Sequence, residues 1–358
     1  MYLQSINNLR GVAIILIVIR HLFQYGFQGN DVISLAIKSS IGGGTTILFV
    51  FVSGFMFYHV FYQSFNYRKF ISNKIINLGG PYFILGTVAI VGLYASGGGY
   101  FDSTMEHEYY PAGGLFTTDD STVTTFIKYY LSGRFLTAYW FIPYGILCFA
   151  LAPIHIKFTH LKPSAQLGVI FCLSCVSMVV QRPVLGVNPL HSVVYFTPIY
   201  LLGIYICMHK EEVLINLHGK LRFLLVGILV LAFYHGYMGV EGAYSKPFFE
   251  FNGIDLLYLQ KVMLVLCLYG ALERWKFNNG LLNTISRTSF AIYFIHPWFM
   301  LMLSKFTSRY DISHLGLDYN LLLYFSVCGL VLSLSCCCAL VTKWIFRGSK
   351  KTRYLLGY

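Results

Sequence analysis

The hydrophobic pattern of this chain is a series of long apolar runs separated by short polar segments. Runs of about 17 to 25 mostly apolar residues are long enough to cross a bilayer as helices, and ten such runs are present. They lie near residues 8–27, 41–62, 80–97, 139–156, 165–182, 192–208, 221–238, 255–272, 289–305 and 320–343. The pattern predicts an all-α, polytopic membrane protein of about ten transmembrane helices, forming one integral-membrane domain over residues 1–358.

Composition and charge agree with a membrane protein. Hydrophobic residues make up 56% of the chain and charged residues only 11%, whereas a soluble domain carries about 25% charged residues. With the N-terminus in the cytoplasm, 17 of the 26 Lys and Arg and only 3 of the 14 Asp and Glu fall on the inner side. Cytoplasmic loops are enriched in Lys and Arg, so both termini are predicted to be cytoplasmic, with residues 344–358 as a short basic tail. The net charge of +12 is thus explained by topology and membrane lipid, and no nucleic acid is expected as a partner.

The first apolar run carries three ionisable residues: Arg10, Arg20 and His21. Such residues are costly in hydrocarbon and mark functional sites in membrane proteins. Arg10 and His21 are 11 residues apart, which is about 20° past three full helical turns, so their side chains share one face. They are separated by a rise of about 16 Å, roughly half the hydrocarbon core. Arg20 points about 100° away from His21.

This arrangement suggests two chemical roles on one helix. A neutral imidazole can remove a proton as a general base, and an arginine at the mouth of the helix suits phosphate or carboxylate groups. Arg10 and His21 are therefore predicted to be catalytic, with Arg10 also binding an anionic ligand. The alternative interpretation is a structural histidine that is hydrogen-bonded across the helix bundle.

At these residues the chain resembles membrane acyltransferase family 3, the bacterial enzymes that O-acylate cell-surface glycans. The resemblance extends in order along nearly the whole chain. It rests on the segments "NLRGVAIILIVIRH" (8–21), "FVFVSGFMFYHVF" (49–61), "PYFIL" (81–85), "YWFIPYGILCFALAPI" (139–154), "YLLGIYI" (200–206) and "SFAIYFIHPWFM" (289–300).

The resemblance implies an O-acyltransferase of the bacterial cytoplasmic (inner) membrane. Its donor would be cytoplasmic acyl-CoA, with acetyl as the expected acyl group. Its acceptor would be a hydroxyl of a cell-surface glycan or of an undecaprenyl-linked oligosaccharide precursor, as in O-antigen, capsule or exopolysaccharide. Some members carry an additional extracytoplasmic domain; this chain ends 15 residues after its last apolar run and is expected to be the stand-alone form.

Further site residues are predicted with less support from the pattern. Arg68, Lys69 and Lys74 are expected to contact the acyl-CoA donor from the inner loop. In this loop the family commonly has two arginines three residues apart, where this chain has Lys74 and Asn77. Candidates for the substrate site or tunnel are Ser53, Trp140, Tyr293 and His296. Each also has a structural interpretation: close packing for Ser53, an interfacial aromatic for Trp140, and repair of the backbone opened by Pro297 for Tyr293 and His296.

Two other functions fit parts of the pattern. A transporter or flippase of anionic glycolipids would use the arginines as a charge path, but the paired broken helices typical of transporters are not apparent. A non-catalytic partner in polysaccharide assembly is the second alternative, and only the in-phase Arg10 and His21 argue against it. A direct transfer and an acyl-enzyme route both remain open, as does a homo-oligomeric state. No metal and no permanently bound cofactor are expected.

Overall fold

The computed structural model describes residues 3–102, 115–117, 119–240, 244–310 and 319–347. Most of the predicted basic tail (344–358) and part of the long loop after the third apolar run therefore lie outside the described residues. Within the described residues the chain forms the α-helices α1 (Gln4–His21), α2 (Val32–Ile41), α3 (Thr46–Met56), α4 (Tyr67–Lys74), α5 (Gly80–Ala95), α6 (Thr122–Ser132), α7 (Phe141–Ala150), α8 (Ala152–Thr159), α9 (Pro163–Val180), α10 (Pro189–Met208), α11 (Lys210–His218), α12 (Leu221–Tyr237), α13 (Leu256–Trp275), α14 (Gly280–Arg309) and α15 (Leu321–Ile345).

The all-α fold class is confirmed for this part of the chain. Its extended structure is limited to two-residue strands, β1 (Arg182–Pro183) and β2 (Ser245–Lys246), which pair in parallel. Short π-helical segments follow α3 (Phe57–Phe61) and precede α5 (Ile75–Gly79).

Each of the ten apolar runs coincides with a helix or with a bent pair of helices. By length and composition, six helical segments can cross a membrane, or up to eight if each bent pair counts as one span. The bent pairs are α7 with α8, at 56°, and α11 with α12, at 71°. The protein is therefore a multi-pass membrane protein. Neither α1 nor α14 is among these segments, and the count of ten spans and the cytoplasmic termini stay predictions.

The chain divides into two compact units. The first contains Met1–Gln63, Ile199–Ala243 and Asp255–Val341, and the second contains Ser64–Pro198, Tyr244–Ile254 and Thr342–Tyr358. The prediction of a single membrane domain over residues 1–358 stays a prediction.

Helix α1 is the buried centre of the first unit. It packs most extensively against α14, and also against α3, α13 and α2. Its apolar residues Leu9 and Ile14 are fully buried, and so is the polar Asn8. Because α1 is surrounded by protein, its polar residues meet hydrogen-bonding partners instead of hydrocarbon, which is the arrangement that makes them tolerable in a membrane protein.

Helix α2 is not predicted by the apolar runs. Asp31 caps its N-terminus by accepting hydrogen bonds from Ser34 and Ile33, and these bonds, above all the one from the Ser34 hydroxyl, lower the pKa of Asp31. At its other end, the buried Lys261 of α13 donates from Nζ to the carbonyls of Ser39 and Ser40, at 2.5 and 2.7 Å. The last carbonyls of a helix lack partners within the helix and attract cations, so Lys261 serves as the C-terminal cap of α2.

In the second unit, the segment predicted to be an inner loop (66–81) runs directly into α5. Pro81 lies in the first turn of α5, where a missing backbone N–H costs nothing. The Tyr82 hydroxyl donates to the Tyr130 carbonyl of α6 at 2.7 Å, and Gly86 lies against the Phe135 ring. These contacts fix α5 to α6 and to the segment that leads to α7.

Candidate active site

Helices α1 and α14 run side by side in the same direction. Gln4 and Asn7 both donate to the Asn283 side chain, at 2.8 and 3.1 Å. Further along, Arg10 donates to Ser289 at 3.0 Å. Partner numbers rise together on the two helices, which is the mark of a parallel pair. We call this line of contacts the α1–α14 seam.

Arg10 is held by α14. Its Nη2 donates to the Ser286 carbonyl and to the Ser289 hydroxyl, both at 3.0 Å. The Ser286 hydroxyl in turn donates to the carbonyl and to the side-chain oxygen of Asn7. Arg10 is half-buried, and these contacts with α14 set the orientation of its guanidinium. Its predicted role in binding an anion stays a prediction.

His21 lies further along the seam beside a second histidine. The centroids of the His21 and His296 rings are 5.7 Å apart, with 30° between their planes. His21 is half-buried and His296 is fully buried. The Tyr293 ring is 6.3 Å from His296. The structure thus brings together three of the predicted residues, His21, Tyr293 and His296.

The backbone around His296 is shaped by Pro297. Proline has no N–H to donate to the carbonyl four residues earlier, which here belongs to Tyr293. The His296 Nδ1 lies 2.8 Å from the adjacent carbonyl, that of Ile292. The imidazole therefore hydrogen-bonds to its own helix next to the proline.

Arg20 belongs to a different environment from His21. Its guanidinium carbon lies 5.2 Å from the centre of the Phe23 ring, and its Cδ lies close to Gly42, in the turn after α2. The Tyr324 hydroxyl of α15 donates to the neighbouring Ile19 carbonyl at 3.1 Å. The predicted divergence of Arg20 from the Arg10 and His21 face agrees with these contacts.

The Ser-Gly-Phe segment of α3 takes part in a close helix crossing. Gly54 lies against the Tyr200 carbonyl of α10, and Gly203 of α10 lies against the Phe51 carbonyl of α3. Small residues allow membrane helices to approach this closely. Gly54 is thereby explained by packing, while the role of the half-buried Ser53 stays a prediction.

The second unit holds the other predicted site residues. Arg68 and Lys69 are exposed on α4, where they are accessible to an anion. The Lys74 amine lies over the Phe149 and Phe70 rings, 4.5 and 5.5 Å from their centres. Lys74 is therefore partly engaged by aromatic rings, a cation–π contact, which distinguishes it from the two exposed cations.

Trp140 is packed inside the second unit. Its ring stacks at 5.9 Å on Phe196, the Arg182 guanidinium carbon lies 5.2 Å from its centre, and Gly186 lies against it. Only 9% of the residue is exposed. In this conformation protein groups occupy the Trp140 surface that a stacked sugar would need.

Sequence reasoning missed the polar residues of α14 that hydrogen-bond to α1. Asn283, Ser286 and Ser289 recur every three residues, a spacing that places side chains on one side of a helix. This three-residue repeat was the signal that could have identified them. It begins before the predicted ninth apolar run (289–305) and ends at the first residue of that run, Ser289.

The comparisons with known proteins identify the family of the chain. A family model described as an acyltransferase domain matches residues 3–342. No curated protein sequence and no solved structure matches the chain. Because the family match covers nearly all of its length, the protein belongs to acyltransferase family 3 and is a membrane acyltransferase.

Proposed function

We propose that the protein transfers an acyl group, with acetyl as the expected one, from acyl-CoA to a hydroxyl of a cell-surface glycan or its undecaprenyl-linked precursor. The proposed location is the bacterial cytoplasmic membrane, with the donor entering from the cytoplasm. The observation that carries this proposal is the α1–α14 seam, along which Arg10 and His21 share one helix face and both lie against α14.

In the proposed reaction, His21 removes the proton of the acceptor hydroxyl as its oxygen attacks the thioester carbon. The new C–O bond forms, the C–S bond breaks, and the proton passes from His21 to the departing thiolate. A thiol has a pKa near ~8.5, so the thiolate leaves readily. The oxyanion that develops on the acyl carbonyl needs a hydrogen-bond donor. Ser53, Trp140 and Tyr293 stay candidates, and the contact between Tyr293 and His296 favours Tyr293.

The proposed role of Arg10 is to bind a phosphate of the acyl-CoA donor. Ser286 and Ser289 orient its guanidinium, and a preorientated fork suits paired hydrogen bonds to phosphate oxygens. Arg68, Lys69 and Lys74 are proposed to assist from the inner loop; the exposure of Arg68 and Lys69 supports that role more than the setting of Lys74 does.

The parallel direction of α1 and α14 supports the proposed topology. With ten spans and a cytoplasmic N-terminus, the first and ninth spans both run from inside to outside. The hydrogen bonds along the seam likewise require that α1 and α14, which correspond to these two spans, run parallel to each other.

The function is tested by incubating membranes that contain the protein with radiolabelled acetyl-CoA and separating labelled glycan from labelled protein. We expect label on glycan with the wild type and none above background with His21→Ala. His160→Ala removes an exposed histidine at the end of α8 and should behave like the wild type. Full transfer by His21→Ala, at equal protein in the membrane, would contradict the catalytic assignment. Label that stops on the protein would indicate an acyl-enzyme.

A further inference from the structure

The tautomer of His296 follows from its hydrogen bond. Nδ1 lies 2.8 Å from the Ile292 carbonyl, and a carbonyl oxygen only accepts hydrogen bonds. Nδ1 must therefore carry the hydrogen. A fully buried imidazole is neutral unless it is paired with a charge, so Nε2 of His296 carries a lone pair and is an acceptor.

That acceptor has no donor in the resting structure. Nε2 of His296 is buried, and no described residue forms a hydrogen bond with it. Proteins rarely leave a buried acceptor unsatisfied, and each exception calls for an explanation. A donor that closes onto this nitrogen only during the reaction would explain this one.

His21 can become that donor. Its ring centroid lies 5.7 Å from that of His296. An N–H···N bond of about 2.9 Å would bring two imidazole centroids only slightly closer than this. In a neutral His21 that acts as base, the nitrogen opposite the reacting one carries the hydrogen. Once the reacting nitrogen has taken up a proton, that N–H belongs to a charged imidazolium and is a much stronger donor.

We propose that His296 is a positioning residue that acts through His21. When His21 has removed the proton of the acceptor hydroxyl, the N–H on its other nitrogen donates to Nε2 of His296 as a charge-assisted hydrogen bond. This hydrogen bond stabilises and orients the imidazolium until the proton passes to the thiolate. His296 stays neutral throughout, and no atom is exchanged with it. The inference rests on the proposed function, in which His21 is the base.

Two substitutions separate this role from a structural one. The Asn amide lies near the position of the histidine Nδ1, so His296→Asn keeps a donor for the Ile292 carbonyl and removes Nε2. The longer Gln side chain reaches the position of Nε2, so His296→Gln restores an acceptor beside His21.

The kinetic expectation is a change in kcat alone. A hydrogen bond that tightens when His21 becomes charged stabilises the transition state more than the bound substrate. His296→Asn should lower kcat about 100-fold, the effect of losing one well-placed stabilising group, with unchanged KM for acetyl-CoA. His296→Gln should recover much of that loss. Thermal unfolding of both variants close to that of the wild type verifies that the fold is kept.

An NMR experiment tests the hydrogen bond between His21 and His296 without relying on enzymatic activity. In protein labelled with ¹⁵N-histidine and placed in lipid nanodiscs, acidification should move the resonance of the bare His296 nitrogen to a hydrogen-bonded position as His21 becomes protonated. In His21→Asn this change should be absent. Tyr293 is the ionisable side chain that the structure places against His296. Arg20 adjoins His21 in the sequence and Tyr324 of α15 bonds to the Ile19 carbonyl of α1, and side chains of these types do not titrate between pH 5 and 8.

The outcomes separate the two proposals. A wild type that transfers no acetyl group but shows the nitrogen signature overturns the proposed function and leaves the histidine pairing intact. Active wild type together with a His296→Asn variant of unchanged kcat overturns the positioning role. A His296 Nε2 resonance that does not change when His21 becomes protonated also overturns the positioning role.

Discussion

Arg10 shows how a charged residue is accommodated in the interior of a membrane protein. Burial of an unpaired guanidinium would be costly, but here the Ser286 carbonyl and the Ser289 hydroxyl accept hydrogen bonds from it. These two groups hold the guanidinium in one orientation on α14. In the proposed function, a phosphate of the donor would add charge-assisted hydrogen bonds to this oriented group.

Substitution of Arg10 by lysine tests whether the planar fork matters as well as the charge. Lysine offers a point charge and cannot form the paired hydrogen bonds that the guanidinium offers to phosphate. We expect Arg10→Lys to raise the KM for acetyl-CoA about tenfold, the equivalent of about 1.4 kcal/mol. Arg287→Lys makes the same change at an exposed position of α14 and should leave the KM unchanged. Equal KM values for the two variants would show that the guanidinium fork of Arg10 does not contribute to donor binding.

Periodicity alone predicts part of the residue-scale arrangement. The shared face of Arg10 and His21 follows from their spacing within one helix. The approach of His296 to His21 does not, because it depends on which helix packs against α1, and the two residues are far apart in the sequence. The tautomer of His296 likewise depends on its hydrogen bond to the Ile292 carbonyl, which hydrophobic patterns do not describe.

At the scale of elements, the α1–α14 seam combines polar and apolar contacts. Gly11 lies against Leu282, while the flanking side chains form the hydrogen bonds of Asn7 and Arg10 to α14. Hydrogen bonds between membrane helices fix their register, since a shift along the axis would break several at once. This register is what sets His21 beside His296.

The crossing of α3 and α10 depends on glycine in a way that can be measured. A Cβ on Gly54 would collide with the backbone carbonyl of Tyr200, and backbone cannot move aside as a flexible side chain can. We expect Gly54→Ala to lower the free energy of unfolding by about 2 kcal/mol, a typical cost of overpacking. Its control is Gly92→Ala in α5, where a Cβ has nothing within 4 Å and alanine favours the helix. Thermal unfolding in detergent should show a lower midpoint for Gly54→Ala only; equal midpoints would contradict the close crossing.

At the scale of the whole molecule, the apolar runs predict where helices lie better than they predict what surrounds them. All ten runs correspond to helices or bent pairs. Helix α2 was missed because its ten residues are too few for a span; it is stabilised by Asp31 and Lys261 at its ends. The division of the chain into two units depends on contacts between distant segments, which local hydrophobicity does not record.

The most informative whole-molecule prediction concerns α1 and α14, which are too polar to be recognised as spans by composition. Their parallel seam requires that both cross the membrane in the same sense if either does.

Single cysteines placed at exposed positions in a background without the nine native cysteines test this: Gln28→Cys beyond α1, Asn278→Cys before α14 and Tyr310→Cys after it. With a cytoplasmic N-terminus, a membrane-impermeant maleimide added to spheroplasts should label positions 28 and 310 and should reach position 278 only after lysis. Labelling of position 278 in intact spheroplasts would show that α14 has the opposite orientation to the one predicted. Protection of position 28 together with labelling of 310 would mean that α14 crosses and α1 does not, which the parallel seam does not allow.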